Sequence, residues 1–244
     1  MPLKLEIIGF NIASCVAINK SGAHRIELCD NPHEGGTTPS FGFIKMAREK
    51  VSVDLFPIIR PRAGDFLYSD DEFQIMKKDV DLCRETGCNG VVFGLLNKDG
   101  TIDTDRTSRL VELAYPMEVT FHRAFDHCND PVKALEQLIQ AGCKRILTSG
   151  QQPQAIQGAG LIAELVKIAN GRIIIMPGSG VRKDNIKELA KKTGAVEFHS
   201  SLRITLNSKM DFVNPAFSDN REDSHISVDA AAISQLLNEM NSIL

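Results

Sequence analysis

The chain has 244 residues, 43% of them hydrophobic and 24% charged, with a formal net charge of −3. This is ordinary globular composition, and the slight negative charge gives no electrostatic basis for wholesale nucleic-acid binding. No apolar run approaches the ~20 residues needed to span a bilayer, and the opening Met1-Pro2-Leu3-Lys4-Leu5-Glu6 lacks the apolar stretch of a signal peptide, so a cytoplasmic protein is expected.

In chain order, Leu3–Ile8 reads as a first strand and Asn11–Lys20 as a helix with apolar residues at helical spacing. His24–Cys29 is a second strand. The turn-rich loop Asp30–Ser40 ends in an N-cap candidate for a helix over Phe41–Lys50. Val53–Arg60 is a third strand, and Ser69–Thr86 a long helix opened by Asp70, Asp71 and Glu72, which suit its positive end. Gly90–Leu95 and Asp103–Ala114 form the next strand and helix. Met117–Arg123 is a fifth strand that runs into His122, Arg123 and Asp126, followed by Asp130-Pro131, an N-cap with proline at the first helical position. Pro131–Ala141, Arg145–Thr148, Ala155–Ala169, Arg172–Pro177, Arg182–Lys192 and Ala195–Ser200 continue the alternation. Residues 201–227 read as a polar loop and 228–244 as a final helix.

Strands alternating with helices imply a parallel sheet. Eight such units over residues 3–200 point to a (β/α)8 TIM barrel, a fold of about 250 residues. A single domain over 1–244 is expected, with a doubly wound open sheet as the other α/β arrangement.

Active sites of such barrels lie at the C-terminal ends of the strands. The residues there are Glu6, then Glu27 and Cys29, then Arg60 and Arg62, then His122 and Arg123, Ser149, the Gly178-Ser179-Gly180 turn, and Glu197 and His199. Strand period two sends the apolar parity toward the helices and the polar parity into the lumen. Any single pair there could be a structural salt bridge, but several ionisable groups meeting at one mouth need mutual compensation, which favours a pocket.

Glu27, His122 and His199 are the acid-base candidates, oriented by Asp126 or Glu197. An anion would be held by Arg60, Arg62 and Arg123 with Glu6 nearby. Glycine-rich turns before helices, Ser149-Gly150 and Gly178-Ser179-Gly180, would present backbone N–H groups to it. Cys29 is the candidate metal ligand, a soft donor suited to Cu(I), although a buried strand-end thiol is also a plain structural residue. The six cysteines include no C-x-x-C pair and suit a reducing compartment.

The stretches Arg25-Ile26-Glu27-Leu28-Cys29, Glu34-Gly35-Gly36 with Thr38-Pro39-Ser40, Ile59-Arg60-Pro61-Arg62, Gly90–Gly94, Thr120–Asp126, Arg145–Gly150, Ile175–Gly180 and Glu197-Phe198-His199 together resemble the CutC family of copper-homeostasis proteins. Ala63, where glycine is common, and Ser179 between two glycines are small departures. The resemblance runs from residue 4 to about 203 and is loose beyond Ile204. It implies a TIM barrel, a cytoplasmic location, a homo-oligomer (dimer or tetramer) and a link to copper, through binding of the ion or tolerance of it. The residues themselves equally describe an enzyme acting on a small anionic or phosphorylated metabolite. A soft-metal carrier and an anion site therefore stand as the two expectations.

Overall fold

The computed structural model describes residues 2–212, 214 and 223–243. Eight parallel strands form the barrel: β1 (Lys4–Gly9), β2 (Arg25–Leu28), β3 (Asp54–Pro57), β4 (Gly90–Phe93), β5 (Glu118–Phe121), β6 (Arg145–Thr148), β7 (Ile174–Pro177) and β8 (Glu197–Ser200). They make two four-stranded arcs, β3-β2-β1-β8 and β4-β5-β6-β7. A parallel bridge between Ile58 and Val92 joins β3 to β4, and β7 lies beside β8, which completes the ring. The helices are α1 (Ile12–Ser21), α2 (Phe41–Lys50), α3 (Asp70–Glu85), α4 (Thr104–Ala114), α5 (Pro131–Gln140), α6 (Ala159–Ala169), α7 (Ile186–Thr193) and α8 (Ala230–Asn241).

Local chemistry explains the boundaries. Ser69 caps α3 in a complete capping box with Glu72, and Asp130 caps α5 through the N–H groups of Val132 and Lys133. Gly22 and Gly194 end α1 and α7 in the left-handed region that glycine tolerates. The outer parity of the strands (Leu5, Ile7, Ile26, Leu28, Val119, Phe121, Ile146 and Phe198) packs on the helices in one continuous core. The inner parity builds a smaller apolar plug of Cys29, Phe56, Ile58 and Val92, around which the polar residues sit. Cys15, Cys83, Cys88 and Cys143 belong to the outer core.

Three expectations need correction. The helix predicted from Arg182 starts only at Ile186, because Arg182–Asn185 is a turn in which the Asn185 side chain takes the N–H of Arg182. The helix predicted from Ala155 starts at Ala159. The segment 201–227, expected to be loop, contains β9 (Arg203–Asn207) and all but the last residue of its antiparallel partner β10 (Ser224–Val228). Alternation in Arg203-Ile204-Thr205-Leu206-Asn207 is the signal for it. The rest of that predicted loop, residue 213 and residues 215–222, lies outside the described residues, as do the ends Met1 and Leu244. Among the described residues no helix is long and apolar enough to cross a membrane.

Candidate functional site

At the C-terminal mouth of the barrel a cavity of about 330 Å³ opens between the strands. Glu27, Arg60, His122, Arg123, His199 and Arg203 line it, together with apolar Ile8, Ile58, Phe66 and Leu147. The parity argument therefore delivers Glu27, His122 and His199 to one space from β2, β5 and β8.

His199 is oriented from below. Its Nδ1 lies 2.7 Å from Glu6 Oε1, and its Nε2 lies 3.7 Å from Glu27 Oε2. Glu6 is fully covered and sits beneath the mouth; it does not line the cavity, and as a carboxylate it cannot join the anion-binding group in which it was expected. Burial works to raise its pKa, but the Arg25 guanidinium and His199 outweigh burial and hold it at about 2. Glu27 lacks such a partner, so burial, reinforced by the charge of Glu6, pushes its carboxyl up to about 7 against the pull of His199 and Arg25. Burial alone would lower His199, yet its bond to Glu6 and the charge of Glu27 raise it above the ordinary histidine value.

The network continues downward. Arg25 donates through Nε to Glu6 (2.5 Å) and through Nη2 to Glu197 (2.5 Å). Glu197 also accepts from Arg145 Nε (3.0 Å), and Arg145 Nη2 reaches Glu118 (2.8 Å) at the opposite rim. Glu197, expected at the mouth, is the first residue of β8 and belongs to this lower layer. Because of strand period two, His199 occupies the mouth one step above it. Arg145 is the residue missed from the sequence. It begins β6 on the same parity as Leu147, and applying the period to whole strands, not only to their ends, finds it.

His122 closes the other side. Its Nδ1 accepts the N–H of Ala124 at 3.1 Å, and its ring leans on Phe66 with centroids 5.0 Å apart. Burial, helped by the charge of Arg60, lowers its pKa to about 3, so the ring is neutral. Gly94 makes room behind it: a Cβ there would lie 2.5 Å from His122 Nδ1. Arg60 donates to the carbonyls of Glu34, Gly36 and Gly64, drawing the loops after β2 and β3 over the cavity, and stacks on Phe66 at 5.2 Å.

Other expected site residues serve the loops. Asp126 does not orient a histidine. It accepts from Arg123 Nε (2.8 Å), Thr148 Oγ1 (2.5 Å), and the backbone N–H groups of Ser149 (3.0 Å) and Gln151 (3.2 Å). This internal carboxylate takes the place where the sequence suggested an external anion, so Ser149 is committed to it. Gly150 donates to Thr148 Oγ1 and packs against the backbone of Gly158. Gly178 donates to Thr148 O and lies against Leu147 and His199, where any side chain would collide. Ser179 and Gly180, both at positive φ, border a wider groove outside the barrel, and Ser179 also touches the mouth cavity. Arg62 faces away from the cavity, paired with Asp65 and Glu72.

As for metal binding, the converging ligand group among the described residues is Glu6, Glu27 and His199. Both Glu6 oxygens are engaged, one by Arg25 and one by His199, which makes Glu6 the outer carboxylate of a carboxylate–histidine pair, the usual support of a metal-binding imidazole. His199 Nε2 and Glu27 are left as the donors. This nitrogen-oxygen set fits Cu(II) or another borderline divalent ion. Cys29 stands apart in the apolar plug, its sulfur covered by Gly36 and its thiol pushed well up by burial and by the charges of Glu27 and Glu6.

The fold and site define a (β/α)8 barrel whose mouth joins a carboxylate-supported histidine to a second, neutral one. The chain belongs to the CutC family, whose model matches residues 3–204. It is 56% identical over 211 residues to a CutC family protein of Parabacteroides distasonis, covering 86% of this chain and 87% of that one. It is 45% identical over 210 residues to the copper homeostasis protein cutC homolog of Homo sapiens, covering 86% and 77% respectively. Among solved structures, a CutC protein of Streptococcus agalactiae superposes with a TM-score of 0.77 at 35% identity, covering 82% of this chain and 98% of that one.

Proposed function

We propose that this protein serves copper homeostasis by holding a copper ion at the barrel mouth, between His199 Nε2 and Glu27, with Glu6 fixing the imidazole. The observation that carries this reading is the 2.7 Å contact between Glu6 and His199 Nδ1, which leaves Nε2 facing a second carboxylate. The family membership names the metal, and the donor chemistry selects its divalent state. Titration with Cu(II) against a competing chelator is expected to give one tight equivalent in the wild type, lost in His199→Ala and kept in Cys29→Ala. Loss in Cys29→Ala alone, with Cu(I) bound in preference, would move the site to the thiol.

The free, buried state of all six cysteines supports a reducing, cytoplasmic setting. A homo-oligomer, dimer or tetramer, belongs to the same proposal, as the family resemblance implies. Light scattering on the purified protein measures that directly.

A further inference from the structure

The copper reading uses one wall of the mouth cavity. The opposite wall carries a different chemistry. His122 Nδ1 spends its lone pair on the N–H of Ala124, so the proton of the neutral ring sits on Nε2. That Nε2 is buried and has no hydrogen-bond partner. Leaving a buried donor unmatched is costly, and such groups are rare unless something outside the chain meets them.

Three positive groups bear on His122. Arg60, His127 and Arg123 each oppose its protonation. The carbonyls that hold Arg60 by its terminal nitrogens carry no formal charge, so they leave the guanidinium's charge uncompensated. Arg123 is steadied by Asp126 and Ser149 while its half-exposed side chain borders the cavity. A directed N–H donor backed by guanidinium charge on one wall of a cavity is complementary to an anion. The remaining wall is short and apolar, formed by Ile8, Ile58 and Leu147, and the volume of about 330 Å³ suits a small metabolite. Across the cavity, Glu27 would repel a second negative group.

We propose that the mouth cavity binds a small organic anion with a single charged head, a carboxylate or phosphate that accepts from His122 Nε2 and faces Arg60 and Arg123, while its uncharged polar end points toward Glu27. The head is held by residues that the copper site does not use. The proposal therefore stands without the copper reading, and its test is run with a chelator present so that the two fail separately.

Calorimetric titration of the metal-free protein with lactate, glycerol phosphate and inorganic phosphate distinguishes a carboxylate from a phosphate head. Saturable one-to-one binding of at least one probe is expected. It should weaken about tenfold or more in His122→Phe, which keeps a ring but loses the donor, and be largely retained in His122→Gln, whose amide restores it. In the wild type, the His122 Nε2–H resonance should shift along the same saturation curve, a readout that needs no variant. Absence of binding by all three probes at millimolar concentration, equal affinity in His122→Phe, or an unmoved resonance would each overturn the proposal.

Discussion

Gly94 and His122 are fitted to each other: the Cβ that Gly94 lacks would stand 2.5 Å from His122 Nδ1. The glycine on β4's exit is therefore what permits the imidazole on β5's exit to lie where its Nδ1 reaches the N–H of Ala124. Gly94→Ala is expected to rotate the ring and cost about 1–3 kcal/mol of stability. Denaturant unfolding measures the loss. The Nε2–H resonance of His122 should move in the same variant, and an unchanged resonance would show that the neighbourhood absorbs the methyl group elsewhere.

The neutral His122 also predicts an acid sensitivity. Its pKa is about 3 in the folded protein against 6.5 for the free side chain. Between those values the unfolded chain binds the proton and the folded one does not, so this residue's contribution makes stability fall as pH drops from 6.5 toward 3. His122→Phe should flatten the stability curve across that window. Parallel curves for the two proteins would contradict the assignment.

Arg25 joins two buried carboxylates with two different nitrogens. Arg25→Met leaves Glu6 with only His199 and Glu197 with only Arg145, and is expected to destabilise the fold by about 3–5 kcal/mol in urea titrations. Arg25→Lys should rescue little of this, because a single ammonium cannot span both acceptors.

Glu6→Gln tests the orientation of the His199 imidazole in the proposed copper site. The amide is nearly isosteric, but the charge that steadies His199 is gone. Copper affinity should drop about tenfold or more, as outer-carboxylate substitutions typically do, while the head-binding wall around His122 keeps its affinity for the anion probes.

Asp126→Ala removes the acceptor shared by Arg123, Thr148, Ser149 and Gln151. Stability should fall by about 2–3 kcal/mol. Hydrogen exchange should accelerate at the amides of Ser149 and Gln151 and leave those of β1 and β2 unchanged.

Much of this arrangement is legible in the sequence, because strand period two is rigid. It fixes which of Arg25, Ile26, Glu27 and Leu28 face the lumen, and it brings Glu27, His122 and His199 together without any knowledge of contacts. Height along a strand is less legible. Glu197 and His199 share a parity, and only the register of β8 against β1 shows that Glu197 lies a layer below the mouth. Loop residues are the least legible. Arg62 and Asp126 are the right types for a site, yet each finds nearer partners in its own loop and on the neighbouring element, and sequence spacing does not reveal which partner wins. Arg145 needed only the period applied to the start of β6. The β9–β10 pair needed the same period applied past residue 200, where polarity concealed the alternation of Ile204 and Leu206.

The ion-pair chain through the lumen has one more consequence. From His199 it passes through Glu6, Arg25, Glu197 and Arg145 to Glu118, whose side chain is 45% exposed on the far face. In most barrels the two ends divide the labour, one for chemistry and one for stability. Here neutralising Glu118 would let Arg145 draw more strongly on Glu197, weaken that carboxylate's hold on Arg25, and so change the field in which Glu6 presents His199. The far face of this barrel is an electrostatic handle on its mouth.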